Sequence, residues 1–156
     1  MATYDIVEGE YEVAGAGIGI VAARFNARFV DRLLEGALRV LARHGVADPT
    51  VVRVPGAFEL PLAARHLAGA EGIEAVIALG AVVRGETPHF DYVSDACAQG
   101  VMRAALDEGI PVIFGVLTTD DDEQAAARSG GAHGNKGEEA ALAALEMVTL
   151  LRRVPR

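Results

Sequence analysis

Four short apolar runs constrain this chain more than any other feature: Ile18–Ala23 (IGIVAA), Thr50–Val54 (TVVRV), residues 74–83 (EAVIALGAVV) and residues 111–117 (PVIFGVL). Each has the length of a strand, and turn residues such as Pro55-Gly56 bound them. The first, third and fourth read as apolar on both faces, which suits strands covered on both sides. Stretches with helical periodicity separate them. In the first, Phe29, Val30, Leu33, Leu34, Ala37, Leu38 and Leu41 recur at spacings of three and four, with Gly45 as a stop signal. Strands alternating with amphipathic helices predict a parallel sheet with helices on both faces, an α/β fold.

The remaining helices are expected at 58–68, with Pro61 in the first turn, at 91–108, ended by Gly109 and Pro111, and after Thr119. The last is expected from Asn135 and Glu138 to about Leu151. Asn26 is predicted to cap the first helix, and Thr119, with Asp122 and Glu123, to start the fourth. A chain of 156 residues predicts one domain, spanning 14–156. Residues 1–13 have no place in that sheet. Their alternating Tyr4, Ile6, Tyr11 and Val13 suggest an extended segment that pairs with another subunit.

A net charge of −8 argues against nucleic acid as a partner, because no basic excess is available to neutralise phosphates. An anionic ligand would need a local cluster of positive groups. Cys97 is the single cysteine, so neither an internal disulfide nor a cysteine metal cluster is expected. Its place on the apolar side of the third helix predicts a buried thiol. The acidic N-terminus lacks a secretory pattern, and no apolar run approaches a membrane span, so a cytoplasmic location is expected.

Open parallel sheets bind ligands beyond the carboxyl ends of their strands. Polar and aromatic residues unusual for a plain turn follow each run here: Arg24-Phe25-Asn26, Pro55-Gly56-Ala57-Phe58-Glu59, Arg84-Gly85-Glu86-Thr87-Pro88-His89 and Thr118-Thr119. Their convergence on one edge predicts the site. Phe25 and Phe58 are either core contacts or platforms for a flat heterocycle. Glu59 either favours a helix dipole or accepts hydrogen bonds from ring N–H groups. Phe114 fits core packing within its strand. His89 is the natural proton-transfer group, since an ordinary imidazole titrates near pH 6.5; a loop histidine that merely hydrogen-bonds is the alternative. His44 and His66 lie near helix C-termini and His133 in a glycine-rich loop, and their spacing is not that of a metal site. Gly85, Glu86 and Thr87 precede a helix, where backbone N–H groups can bind phosphate. The Glu86 charge opposes that, so its side chain is expected to face away. Arg128 and Lys136 flank a glycine-rich loop as candidate phosphate partners, or as solvated surface charges. Two motifs carry less. Gly15-Ala16-Gly17-Ile18-Gly19 precedes its strand and lacks dinucleotide-loop spacing, and Asp120-Asp121-Asp122 reads as helix-capping residues.

In sequence order, ARFN, VPGAFELP (54–61), ALGAVVRGETPHFDYV (78–93), PVIFGVLTT (111–119), EQAAARSG (123–130) and GNKG (134–137) match a known pattern. The chain resembles the 6,7-dimethyl-8-ribityllumazine synthases of riboflavin biosynthesis over nearly its whole length. The resemblance implies a flavodoxin-like three-layer α/β/α sandwich with a four-stranded parallel sheet, and an N-terminal strand joining a neighbouring subunit. It implies condensation of 5-amino-6-(D-ribitylamino)uracil with 3,4-dihydroxy-2-butanone 4-phosphate, without metal or organic cofactor. Position by position, it assigns Phe25 to stacking on the pyrimidine, and Ala57, Phe58 and Glu59 to the uracil and ribityl chain. Ala81, Val82 and Val83 become backbone contacts to the pyrimidine, and Phe114 a second aromatic wall. Glu86, Thr87, Arg128 and Lys136 become phosphate-binding residues, and His89 the proton-transfer residue. Phe114, Arg128 and Lys136 are implied to come from an adjacent subunit. The compact loop 131–137 resembles that of members whose pentamers build icosahedral shells. A non-catalytic flavin- or lumazine-binding protein, or a cage, on this scaffold is the alternative, but neither needs His89, Arg128 and Lys136 together. A receiver-type signalling domain would need an acidic residue after the first strand, where Arg24-Phe25-Asn26 has none.

Overall fold

A computed structural model describes residues 1–156. The chain runs β1 (Ile18–Ala23), α1 (Ala27–Arg43), β2 (Thr50–Val54), a 3-10 turn (Ala57–Glu59), α2 (Leu60–Ala68), β3 (Ala75–Val83), α3 (His89–Glu108) and β4 (Val112–Thr119). Then follow α4 (Asp122–Arg128), a small hairpin of β5 (Ser129–Gly131) and β6 (Gly134–Asn135), and α5 (Lys136–Arg153). The four main strands are all parallel, in the order β2-β1-β3-β4. This is the expected sheet, and the apolar runs explain it: β1 is buried throughout, and β3 is buried to Val82.

Strand alternation divides the core between two layers. Ile18, Ile20 and Ala22 of β1, with Ala75, Ile77 and Leu79 of β3, pack under α1 and α5. Val21 and Ala23, with Val76 and Ala78, pack under α2 and α3. α1 buries Phe29, Val30, Leu33, Ala37 and Leu41 of the expected stripe and adds Val40, while Leu34 and Leu38 of that stripe lie at its edge, half-buried. Each large aliphatic group so buried stabilises the fold by about 1.5–3 kcal/mol, and truncating fully buried Leu33 to alanine costs about 2–5 kcal/mol. α1 and α5 approach so closely that a Cβ on Gly137 would overlap the Leu33 carbonyl. Gly9 is similar: its Cβ would run into the Glu146 carbonyl of α5. Residues 8–13 are thus pressed on their own subunit. Glu10 exchanges hydrogen bonds with Thr149 Oγ1 at 2.7 and 2.8 Å, Glu12 reaches His44 Nδ1 at 2.7 Å, and Val13 is buried. Tyr4 and Ile6 lie outside that contact and are exposed.

Local chemistry moves several expected boundaries. α3 starts at His89, not at residue 91, because Pro88 needs no N–H partner and its φ of −70° already suits a helix start. Asp121, not Thr119, caps α4, accepting from the Gln124 N–H at 2.8 Å, while the Thr119 hydroxyl donates to the Asp121 carbonyl. Asn135 caps α5 as expected, accepting from the N–H groups of Gly137 and Glu138. Asn26 stands at the N-cap position of α1, its carbonyl accepting from the Phe29 and Val30 N–H groups, but its side chain makes no capping hydrogen bond. Its backbone is left-handed (φ 59°, ψ 40°), and its side chain points away from the helix. The β5–β6 hairpin, with an irregular register between Ser129 and Gly131, forms where only a glycine-rich loop was expected.

Candidate active site

β2 lies on one side of β1 and β3 on the other, so successive connections diverge at the β1/β3 boundary and leave a crevice at their carboxyl ends. A cleft of about 730 Å³ occupies it. The loop after β1 contributes Phe25 and Asn26, and the loop after β2 contributes Pro55, Gly56, Ala57, Phe58 and Glu59. β3 contributes Ala81, Val82 and Val83. The loop into α3 adds Gly85 and Thr87, and α3 itself adds His89, Phe90, Tyr92 and Val93.

The aromatic groups are placed for contact with a ligand. Phe25 is 70% exposed and Phe58 63%, so neither serves the core. Ala57 beneath them is buried and fixes the 3-10 turn that presents Phe58 and Glu59. The Asn26 amide reaches across the crevice and donates from Nδ2 to the Ala81 carbonyl at 2.8 Å. The β1–β3 register has ended at the Ala22–Leu79 pair, so this side chain supplies a donor where the ladder has run out. Asn26 therefore ties the Phe25 loop to the end of β3.

His89 is the first residue of α3 and is exposed; its backbone N–H lies 3.5 Å from Thr87 Oγ1, and no hydrogen bond holds its ring. Glu86 is exposed and does not line the cleft. No lysine or arginine lines it either, and Glu59 is its only carboxylate. Arg128 and Lys136 instead gather with His133, Leu117 and Glu139 around a separate hollow of about 210 Å³. There Lys136 pairs with Glu139 at 3.4 Å, and Arg128 Nη1 donates to the Gln124 carbonyl at 3.1 Å. Phe114 sits half-buried on β4, an edge strand, and does not reach the cleft of its own chain. Cys97 is buried against α2, away from the cleft, and burial pushes its thiol up to about 11.

Four contributors were not evident from sequence. Asn26 read as a helix cap. Tyr92 and Val93 follow His89 at spacings of three and four, so they share its helix face, and that spacing would have revealed them. His133 joins Arg128 and Lys136 only because the unforeseen hairpin folds it back, its N–H donating to the Ala127 carbonyl at 2.9 Å.

Sheet order 2-1-3-4, helices on both faces and a ligand-sized cleft at the switch point define a flavodoxin-like α/β protein with a small-molecule site. The sequence model of the 6,7-dimethyl-8-ribityllumazine synthase family matches residues 15–152. Two proteins described as 6,7-dimethyl-8-ribityllumazine synthase, from Stenotrophomonas maltophilia strains K279a and R551-3, are each 54% identical to this chain over 142 residues. The match covers 90% of this chain and 92% of each relative. The chain belongs to the 6,7-dimethyl-8-ribityllumazine synthase family.

Proposed function

We propose that the chain catalyses the reaction of its family in the switch-point cleft, completed by Phe114, Arg128 and Lys136 of an adjacent copy. The reaction condenses 5-amino-6-(D-ribitylamino)uracil with 3,4-dihydroxy-2-butanone 4-phosphate, releasing phosphate and water, in riboflavin biosynthesis. The single observation that carries the shared site is electrostatic. The cleft receives a phosphorylated substrate yet is lined by one carboxylate and no lysine or arginine, while Arg128 and Lys136 wait around another hollow of the same chain.

In this reading Phe25 stacks on the pyrimidine and the neighbour's Phe114 forms the opposite wall. Ala57, Phe58 and Glu59 hold the uracil and ribityl chain, and the backbone of Ala81, Val82 and Val83 meets the ring edge. Thr87 and the N–H groups at the start of α3 bind the phosphate, with Arg128 and Lys136 supplying the positive charge. Glu86 faces outward beside that cradle. The substrate amine attacks the ketone to form an imine; phosphate then leaves, and the resulting enol tautomerises and closes the ring. His89 moves protons in these steps. Much of the rate comes from holding two reactive molecules together.

Residues 1–13 act as an arm whose root, residues 8–13, is held on its own subunit, and 14–156 act as the catalytic domain. The open edge of β2, with Thr50, Val51 and Arg53 exposed, is where an arm from a neighbour adds a strand. Subunits so joined form pentamers, and the short hairpin loop between α4 and α5 favours their assembly into an icosahedral shell in the cytoplasm. No helix is long and apolar enough to cross a membrane. Light scattering tests the assembly, and a particle no larger than a decamer rules out the shell.

Mixed assembly tests the shared site. His89→Ala and Arg128→Ala subunits, refolded together in equal amounts, form about one fully wild-type site in four if each site draws on two subunits. Lumazine fluorescence should then rise well above the mean of the two separate variants. A mixture no more active than that mean places both residues in one subunit's site and overturns the reading.

A further inference from the structure

Arg84 follows Val83, the last residue of β3, and opens the loop that leads through residues 85–88 into α3. Its backbone N–H donates to the Thr119 carbonyl at 2.8 Å, extending the β3–β4 ladder. Its side chain does not line the cleft. Instead Nε donates to Asp120 Oδ1 at 3.0 Å, Nη1 lies 3.5 Å from Asp91 Oδ1, and the guanidinium carbon sits 4.4 Å from the centroid of the Phe90 ring. Phe90 and Asp91 are the two residues that follow His89. The far end of the clamp is itself anchored: Asp121 caps α4, and Asp122 pairs with Arg28 at the start of α1. The hydrogen bond it donates to Asp120 raises the guanidinium above its ordinary value, against the opposing effect of desolvation and with the help of the Asp91 charge.

With no hydrogen bond on its ring, His89 takes its position from the first turn of α3 alone. We propose that Arg84 is a positioning residue for His89, clamping that turn to the β4–α4 loop so that the imidazole stands at a fixed place in the cleft. The inference rests on the proton-transfer role given to His89. Lysine cannot replace Arg84, because one ammonium does not reach two carboxylates as a planar fork while stacking on a ring.

A double-variant cycle with steady-state kinetics tests the clamp. Arg84→Met should lower kcat about tenfold or more with the pyrimidine KM little changed, since misplacing a catalytic group by about 1 Å can cost about a hundredfold. In a His89→Ala background the same change should alter kcat less than about twofold, because the group it positions is gone. An equal loss in both backgrounds, or wild-type kcat for Arg84→Met, overturns the proposal. If Arg84→Met fails to assemble, Asp120→Ala, which keeps Arg84 and removes one end of its clamp, enters the same cycle with the same deciding outcomes. Should His89→Ala alone keep wild-type kcat, the role of His89 fails first, and that result is distinct from additivity.

Discussion

Replacing Asn26 separates two contributions that the structure superimposes at one residue. The first is the hydrogen bond from Nδ2 to the Ala81 carbonyl at 2.8 Å. Ala81 is only 3% exposed and lies past the last β1–β3 pair, so loss of the amide leaves a buried acceptor open, at about 1–3 kcal/mol. The second is the left-handed backbone at φ 59°, which costs an ordinary L-residue about 1–2 kcal/mol and which glycine adopts freely. Asn26→Ala incurs both and should destabilise by about 2–5 kcal/mol. Asn26→Gly loses the hydrogen bond and some backbone entropy, about 0.5–1 kcal/mol, and should remain the more stable variant by about 0.5–1 kcal/mol. Asn26→Asp tolerates the backbone but sets a carboxylate against a carbonyl, and should rank below glycine. Thermal unfolding reads the order, with every variant at the same protomer concentration because association adds apparent stability. All three should also raise the KM for the pyrimidine, since the Phe25 loop loses its tie to β3. An alanine variant as stable as the glycine one would refute the backbone argument. An unchanged KM would refute the link from Asn26 to Phe25.

Cys97, raised to about 11 by burial, should resist a thiol reagent at pH 7.5 in the native protein and react fully after denaturation. Because its folded value lies above the unfolded one, its contribution to stability is complete below the ordinary thiol range, about 8.5, and is lost as pH rises towards about 11; Cys97→Ala should flatten that alkaline decline in urea midpoint. Gly137→Ala should push α5 from the Leu33 carbonyl and cost about 1–3 kcal/mol or more, read as a lower urea midpoint with unchanged m. Arg128→Ala should raise the KM for the phosphorylated ketone about 10–100-fold, the equivalent of one charged hydrogen bond, and leave the pyrimidine KM near its original value.

Strand positions and helix faces were legible because burial imposes a period on the sequence. β1 and β3 read as apolar on both faces, and α1 shows its stripe at spacings of three and four. The edge that carries the cleft was legible too, since aromatic and polar residues after a buried strand have no packing reason to be there. What the sequence hid were choices between two satisfactory local bonds. Asn26 can cap a helix or reach a distant carbonyl, and Asp121 competed with Thr119 for the α4 cap. Such choices turn on where a residue far along the chain comes to lie: Ala81 for Asn26, Asp91 and Asp120 for Arg84. The triplet Asp120-Asp121-Asp122 shows the same limit. Only the middle residue is the cap it resembled, and its neighbours hold Arg84 and Arg28.

The distribution of charge gives a physical reason for the divided site proposed above. On a protein of net charge −8, a cleft with its own lysines and arginines would attract carboxylates of the same chain, as Lys136 already attracts Glu139. In the proposed shared site, positive groups from a neighbour would meet the cleft only on assembly, where exclusion of water would strengthen each contact to a phosphate. The apolar and aromatic half, with Phe25, Phe58 and His89, is prepared by the fold of a single subunit. The phosphate half, in that proposal, is prepared by packing between subunits. Conditions that dissociate the assembly without unfolding its chains should therefore abolish use of the phosphorylated ketone first, while a pyrimidine analogue still binds weakly to the separated subunits. Equal loss of both ligands would place the aromatic half at the interface as well.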